Sequence, residues 1–337
     1  MSGTISNNIS QSSGSITAPA GGVSIVSSDP TLTTGLVWYN STSNVLKVAR
    51  TVGAWSAGGT YPSTHLEVMS TGTVSAAIAG GGYDSSTVVQ KTSYEYNGTA
   101  WATNVNMSGV RSFPSRAGTQ TSALVAGGFD SFSGTSSDVN TVESYNGTAW
   151  SNETNHDQSW AIMGGCGASE TAAITVGSKT GSGHNYSNLS YEYNGASWAS
   201  GGNSNLTGSS RLGTGTLTAS IFAGGYKAGG YSLTSEEYNG TAHTAGNSMA
   251  TARAYHGAAG TMTDALMFNG DSPTTEIYDG TSFASGTGDD GRQNAGAHGA
   301  SSTSAYTVAG QADGYGSILN TTREFAEGLT ARTLSNS

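Results

Sequence analysis

The stretch TVESYNGTAW, residues 141–150, contains the signal that decides the fold. Asn146-Gly147 is a strong short-range hairpin signal, because both residues tolerate a positive φ angle. Tyr145 and Trp150 flank the turn and are placed to form a cross-strand aromatic contact. The stretch therefore predicts two short antiparallel strands joined by a tight turn.

The hairpin motif recurs along the chain at intervals of roughly 40 to 50 residues, which is the spacing of a repeat architecture. Its other copies are EYNGTAW (95–101), EYNGASW (192–198), EYNGTAH (237–243), EIYDGTSF (276–283) and a degraded EFAEG (324–328). A second motif, a short apolar run that ends in Gly, recurs at a nearly constant distance from the first. Its copies are AAIAGG (76–81), ALVAGG (123–128), AAITVG (172–177), SIFAGG (220–225), ALMFNG (265–270) and AYTVAG (305–310). Runs this short predict buried strands, not helices.

Each unit thus contains about four short strands, and such a sheet cannot bury both of its faces alone. Radial stacking of the units solves that problem, so six units predict an all-β fold, a six-bladed β-propeller. Trp55 has the spacing of the hairpin aromatics but follows no Tyr-Asn-Gly, whereas the last unit lacks its Trp. The strand around Val48–Trp55 is therefore predicted to complete the last blade. The predicted organisation is a polar N-terminal arm (1–34), a hairpin and closing strand (35–55) and the propeller (56–337).

The composition limits the partners of the chain. The net charge is −10, with 12 basic and 22 acidic residues and no run or stripe of Lys or Arg. Nucleic acid and anionic membrane are therefore not expected as partners. No segment approaches the about 18 apolar residues of a membrane helix, and the N-terminus lacks the pattern of a secretory signal. The single Cys166 excludes an internal disulfide and a Cys-based zinc site.

The repeats resemble kelch repeats, in which an apolar strand, Gly-Gly, a variable loop, Glu-x-Tyr-Asp/Asn and Trp follow one another. The resemblance covers about residues 55–328, and TVESYNGTAW (141–150) and TEIYDGTSF (275–283) match best. The spacing from Tyr145 to Trp150 is shorter than is usual in kelch repeats, which implies a tighter hairpin. The resemblance implies a kelch-like propeller.

A second resemblance lies in GLVWYNSTSNVLKVARTVGAW, residues 35–55. It is similar to a short module of bacteriophage virion proteins, in which Trp-Tyr-Asn, a polar turn, Leu-Lys-Val and a Trp follow one another. The resemblance implies a head or tail component that assembles into the virion in the host cytoplasm and binds other virion proteins. Trp38, Tyr39 and Leu46 are the candidate docking residues, and self-association stays open.

No residue pattern indicates catalysis, a metal site or a cofactor. The Glu that precedes each hairpin is interpreted as structural, because a residue repeated in every unit serves the scaffold. The Asp residues after the Gly pairs are interpreted as turn caps, the six His show no metal-ligand spacing, and Cys166 is predicted to be a small buried residue. The Arg residues upstream of the apolar strands are candidate partners for Glu in neighbouring blades: Arg116, Arg211, Arg253 and Arg292.

The loops after the Gly pairs differ most between units and carry aromatic residues among Ser, Gly and Asn, a mixture that suits recognition of a protein or a glycan. The candidate binding residues are Tyr83, Phe129, Tyr186 and Tyr226. Two hypotheses follow. The first is a non-enzymatic virion structural protein, a head decoration or a tail or fibre component, that docks by its N-terminal region and displays the propeller. The alternative is a lectin-like propeller that binds host-surface glycan.

Overall fold

The computed structural model describes residues 23–33, 35–131, 138–180, 185–270, 272–292, 295–312 and 316–333, and every regular element in them is a β-strand. The chain divides into two compact units. The smaller comprises residues 1–54 and 327–337, and the larger comprises residues 55–326. The first 22 residues of the predicted arm lie outside the described residues, whereas strand β1 (Ser24–Val26) lies within the predicted arm.

In the smaller unit, β1 pairs in parallel with β2 (Val37–Asn40), and β2 forms a hairpin with β3 (Val45–Ala57). This is the hairpin that the Trp-Tyr-Asn module predicts. The Asp29 carboxylate holds it together, because it accepts hydrogen bonds from Trp38 Nε1 at 3.1 Å, Asn40 Nδ2 at 2.9 Å and Lys47 Nζ at 2.7 Å.

The larger unit consists mainly of four-stranded antiparallel sheets, which is a propeller-like architecture. In chain order their strands are β4 (Met69–Thr73), β5 (Ala76–Gly80), β6 (Ser93–Tyr96) and β7 (Trp101–Thr103); β8 (Ser115–Thr119), β9 (Ser122–Ala126), β10 (Val142–Tyr145) and β11 (Trp150–Asn152); β12 (Gly164–Ser169), β13 (Ala172–Thr180), β14 (Asn185–Tyr193) and β15 (Trp198–Asn203). The next are β16 (Leu212–Thr216), β17 (Ala219–Ala223), a two-stranded ribbon of β18 (Tyr226–Lys227) and β19 (Gly230–Tyr231), β20 (Ser235–Tyr238) and β21 (His243–Ala245); and β22 (Gly257–Thr261), β23 (Asp264–Phe268), β24 (Thr275–Tyr278) and β25 (Phe283–Ser285).

The last strands of the larger unit are β26 (Gly296–Ser301), β27 (Ser304–Val308) and the first part of β28 (Thr322–Thr333). Trp55 and the residues after it supply the fourth strand, because Gly58 N donates to Thr322 O at 2.9 Å and Ser56 Oγ donates to Glu324 O at 3.4 Å. The prediction that the strand around Val48–Trp55 completes the last sheet is confirmed in part. β3 is the neighbour of β28, but the bonds to β28 come from Ser56 and Gly58, beyond Trp55.

The Tyr-Asn-Gly segments form the predicted hairpins. In the first of them, Asn97 Oδ1 accepts hydrogen bonds from the amides of Thr99 at 3.0 Å and Ala100 at 2.9 Å. Gly98 has a φ of 87°, a backbone conformation that glycine adopts without steric cost. The rings of Tyr96 and Trp101 stack across the hairpin with centroids 4.8 Å apart. The ring pair recurs in the copies at 143–150, 192–198, 237–243 and 276–283, whereas the degraded copy at 324–328 lies inside strand β28. A local sequence signal therefore fixes this edge of five sheets.

The apolar runs before the Gly positions form the second strand of each sheet and are buried, as predicted. Their side chains pack against the neighbouring sheet. Met69 and Ile78 of one sheet, for example, contact Val125 and Tyr145 of the next. The first strands of the sheets also contact one another in the order β4, β8, β12, β16, β22 and β26, and β26 contacts β4.

Candidate binding site

Five residues with positive φ angles stand just before the first strands of five sheets. Each φ lies between 53° and 58°, in the left-handed region that side chains other than glycine seldom adopt. Their backbones are alike and their side chains differ. The five residues are Glu67, Phe113, Ile162, Ser210 and Tyr255.

All five line one cavity of about 40 Å³ in the larger unit, here called the central cavity. Part of its wall is aliphatic, formed by residues such as Val68, Met163 and Leu212. The rest is polar, and includes Arg116 and His256. The cavity therefore joins an apolar surface to a few polar groups, the combination that ligand sites use to hold and orient a bound molecule.

The polar groups of the central cavity are poorly satisfied. Among the described residues, no hydrogen-bond partner is found for Glu67 Oε1, Arg116 Nε, Ser210 Oγ or either ring nitrogen of His256. Burial raises the pKa of Glu67 well above its usual value, and the charge of Arg116 opposes that rise. Burial also lowers the pKa of His256 well below its usual value, and Arg253 and Arg116 add to the effect. Burial therefore disfavours the charged forms of both Glu67 and His256.

Aromatic rings surround Phe113 beside the cavity. Its ring stacks on that of Tyr83 with centroids 6.2 Å apart, and meets Phe129 edge-on at 5.7 Å and Tyr255 at 6.2 Å. The predicted binding residues Tyr83 and Phe129 thus come together through Phe113, which the sequence analysis missed. Phe129 is buried and supports the cluster, whereas Phe113 and Tyr255 stay partly exposed.

The other two predicted binding residues form a second cluster that does not line the central cavity. The rings of Tyr186 and Tyr226 lie 6.1 Å apart, and Tyr231 meets Tyr226 edge-on at 5.7 Å. All three side chains are partly exposed. Tyr226 borders a hollow of only about 10 Å³, too small for more than a single water.

The predicted docking residues of the smaller unit lie on adjacent strands. Trp38 is fully buried and is bonded to Asp29, so it shapes the hairpin and presents no surface. Tyr39 pairs with Leu46 on one side and with Ile25 on the other. Both Tyr39 and Leu46 are partly exposed, and Ile25 is 74% exposed. These three residues form one row across the sheet, here called the apolar row.

The repeated Glu residues are committed to the framework. Five Tyr hydroxyls donate to carboxylates of the preceding sheet: Tyr96 to Glu324, Tyr145 to Glu95 (2.8 Å), Tyr193 to Glu153 (3.1 Å), Tyr238 to Glu192 (2.5 Å) and Tyr278 to Glu237 (2.6 Å). At the sixth equivalent position Phe325 has no hydroxyl and lies in a hydrophobic cluster, against which Ile277 of the preceding sheet packs. Of these acceptors, Glu95, Glu192 and Glu324 belong to the repeated Glu residues, and their contacts agree with the structural interpretation.

Buried ion pairs form within the sheets. Arg111 contacts Glu143 at 2.5 Å, and Arg253 contacts Glu276 at 2.9 Å, with each pair inside one sheet. The prediction that Arg116, Arg211, Arg253 and Arg292 pair with Glu of neighbouring blades is wrong. Arg211 and Arg253 pair with Glu236 and Glu276 of their own sheets, and Arg292 pairs with Asp290. Arg116 Nη2 instead donates to the carbonyl of Ala297 at 2.7 Å, because its side chain turns to the central cavity while Arg111 takes the framework position.

Other predicted roles follow from local contacts. Asp84 caps a turn by accepting hydrogen bonds from the amides of Ser86 at 2.9 Å and Val88 at 3.1 Å, as predicted. Asp271 and Asp313 lie outside the described residues. Cys166 is buried, and burial raises the pKa of its thiol to about 12. Within the described ranges, no group of three or more His, Cys, Asp or Glu could hold a metal ion, and no helix is long and apolar enough to span a membrane.

Comparison with known proteins gives a likeness of fold alone. No family model matches the chain, and no curated protein matches it in sequence. A solved structure described as "Structure of YjhT" aligns with 78% of this chain and 95% of its own, with a TM-score of 0.64 and 12% identity. At that identity, the likeness supports the propeller-like, all-β architecture and says nothing of the ligand.

Proposed function

We propose that this chain is a non-enzymatic structural protein of a bacteriophage virion, in which a six-bladed kelch-like propeller displays a recognition surface. One observation supports a non-enzymatic role. The carboxylates that recur in the units form hydrogen bonds with Tyr, Arg or backbone groups. The repeated carboxylates are therefore not free to reach a substrate, as those of a hydrolase must be. The carboxyl group with an unpartnered oxygen at the central cavity is that of Glu67, which is not one of the repeated Glu residues. The residues left to vary, around the central cavity, suit binding.

The number of blades is supported by the order of the contacts between sheets. The Tyr-to-carboxylate bonds link each sheet to the one before it, and Tyr96 of the first sheet bonds to Glu324 of the last. The first strands contact one another in the same cyclic order. Six sheets in a cycle leave only short strand edges exposed, which is the physical advantage of a propeller.

Docking of the chain on the particle is supported by the apolar row of Ile25, Tyr39 and Leu46. An exposed apolar row on a small sheet is an unfavourable surface in water and a suitable one for a partner protein. The module that resembles phage virion proteins supplies two of its three residues. The partners proposed here are therefore other virion proteins.

The docking proposal is tested by infecting cells with phage that encode Ile25→Asp and Leu46→Asp together in the full chain. We expect the purified particles to lose the protein, measured by mass spectrometry and by cryo-electron microscopy of the particles. The matched control is Val88→Asp, which alters an exposed apolar residue of the larger unit and is expected to leave incorporation unchanged. Normal incorporation of the double variant, or absence of the wild-type chain from particles, would refute docking through this row.

Recognition of a glycan is a second candidate function, favoured by the aromatic cluster around Phe113 beside a cavity with unsatisfied polar groups. A glycan array probed with the purified chain tests it. Binding to a defined set of glycans supports the lectin function. An array without hits, together with normal host adsorption of phage that carry Phe113→Ala, contradicts it.

A further inference from the structure

We infer that the central cavity is a subsite for the acetamido group of an N-acetylated amino sugar, with Phe113 and Tyr255 beside the sugar ring. This inference rests on the glycan-recognition function proposed above. It does not depend on docking to the particle.

The first step is that the cavity calls for a polar occupant. Buried polar atoms in proteins nearly always have a hydrogen-bond partner. Around this one hollow, polar atoms of four side chains have none among the described residues: Glu67, Arg116, Ser210 and His256. Ser210 and His256 are each only 2% exposed, so bulk water does not satisfy them.

The second step concerns the charge and the hydrogen-bonding character of the occupant. Arg116 Nε can only donate a hydrogen bond, whereas a neutral imidazole such as that of His256 offers one donor and one acceptor. Burial disfavours the charged forms of Glu67 and His256, and the positive charge of Arg116 opposes protonation of both groups. An uncharged group that has both an N–H and a C=O matches this set. An amide is such a group.

The third step is size. One water needs about 10–15 Å³ of such volume, so a cavity of about 40 Å³ holds about three to four non-hydrogen atoms, and an acetamido group has four. An acetamido group fits because it is terminal, whereas a backbone amide continues as chain on both sides. Its methyl group would contact the aliphatic wall of Val68, Met163 and Leu212. The primary amide of an Asn or Gln side chain has no methyl to place there.

The fourth step is the aromatic border of the cavity. The rings of Phe113 and Tyr255 meet at an interplanar angle of 70° and are partly exposed. Aromatic rings bury a large apolar area at low conformational cost, and the C–H face of a sugar ring is the apolar part of an otherwise polar ligand. The acetamido group would thus enter the cavity while the ring of the sugar lies on the aromatic border.

The test uses saturation-transfer NMR between the full chain and methyl glycosides of N-acetylglucosamine and N-acetylgalactosamine. We expect the acetyl methyl protons to receive the strongest saturation, and the methyl glycosides of glucose and of glucuronic acid to receive none. Phe113→Ala should weaken binding about tenfold, the loss expected for one good contact. Val105→Ala, at an exposed apolar residue that does not line the cavity, is the control and should bind as the wild type does.

A second variant tests the cavity itself. Asn tolerates the left-handed backbone at residue 210, so Ser210→Asn should keep the fold while its own amide fills the cavity. We expect it to abolish binding with an unchanged circular dichroism spectrum. Equal saturation of glucose and the N-acetylated sugars overturns the inference, as does binding of glucuronate or binding that survives both variants. Preferential binding of a short N-acetylated peptide overturns it in favour of peptide recognition.

The outcomes separate this inference from the functions proposed above. A chain that binds N-acetylated sugars but is absent from particles refutes docking and leaves the subsite intact. If the chain binds only sugars without an acetamido group on the glycan array, the lectin function is supported and the acetamido subsite is refuted.

Discussion

In five sheets of the larger unit, the two edges differ in which features repeat from one sheet to the next. At one edge the Tyr-Asn-Gly hairpins repeat both the backbone and the side chains, and the Tyr hydroxyls bond to the preceding sheet. At the other edge five left-handed residues repeat the backbone alone, and Glu, Phe, Ile, Ser and Tyr occupy equivalent positions. Repetition of side chains marks the framework, and a repeated backbone with varied side chains marks the place where specificity can reside.

The largest loss of stability is expected from Glu276→Ala, which removes a buried ion pair within one sheet. Glu276 accepts hydrogen bonds from Arg253 Nη2 at 2.9 Å and from the amides of Ala250 at 2.7 Å and Thr251 at 3.1 Å. Its removal leaves a buried guanidinium without its counter-charge, which costs about 3–5 kcal/mol. Urea unfolding measures the loss. Asp157→Ala, at an exposed carboxylate, is the control, and equal stability of the two variants would contradict the prediction.

The second largest effect is expected from acid, which should lower the free energy of unfolding. Burial lowers the pKa of His156 from its usual value to about 4, so the folded state keeps this histidine neutral where the unfolded chain would be protonated. Its contribution is complete above about pH 6.5, and as the pH falls from there to about 4 stability drops by roughly 1.4 kcal/mol per pH unit.

The measurement is the free energy of unfolding of the wild type and of His156→Gln between pH 7 and pH 4. The variant removes the titrating group, so it should show the smaller pH dependence of the two. Identical slopes would show that His156 does not titrate between the folded and unfolded states as described.

A smaller effect is expected at one Tyr-to-carboxylate contact. Tyr278→Phe removes the hydroxyl that donates to Glu237 at 2.6 Å and should cost about 1 kcal/mol. Adding Glu237→Ile should restore most of the stability, because the chain already uses Phe325 with Ile277 at the equivalent contact. A double-mutant cycle by urea unfolding gives the coupling. Additive losses would contradict this exchange of a polar pair for an apolar one.

The smallest effect is expected at the varied edge. Ser210 has a φ of 54°, and its Oγ has no partner among the described residues. Ser210→Gly relieves the backbone strain and removes an unsatisfied buried hydroxyl, so it should stabilise the fold by about 0.5–1 kcal/mol. Thermal unfolding measures the gain, and Ser210→Ala, which keeps the strained Cβ, is the control. A less stable glycine variant would show that Ser210 has a framework role.

Much of the fold could be predicted because its signals are local. Asn97-Gly98 specifies its turn through the side chain of one residue and the freedom of the other, and the apolar runs before the Gly positions specify the buried strands. The completion of the last sheet by Trp55 was also predictable, since its distance from the next Gly pair matches that of the other hairpin aromatics.

The central cavity could not be predicted from the letters of the repeat. Glu67, Ile162 and Tyr255 share a backbone angle and no chemistry, so alignment of the units does not bring them out. A partial signal existed in Arg-Ser-Phe and Arg-Ala-Tyr, where the framework residues Arg111 and Arg253 precede Phe113 and Tyr255 by two positions. The sequence does not show which of Arg111 and Arg116 pairs with Glu143, because the two cations are only five residues apart. The three-dimensional structure was needed to assign that role to Arg111.

The pairing of Trp55–Ala57 with the strand that starts at Thr322 has a consequence for synthesis. A ribosome must translate more than two hundred residues after Trp55 before the partner of this strand exists. Sheets between the two can form as they emerge, but the final sheet depends on contacts between distant parts of the sequence, which are slow to form. Until then the edge of Trp55–Ala57 that pairs with β28 stays open on the nascent chain. This edge is the point at which a neighbouring nascent chain could add its own strand, so fast release and dilution should favour correct folding.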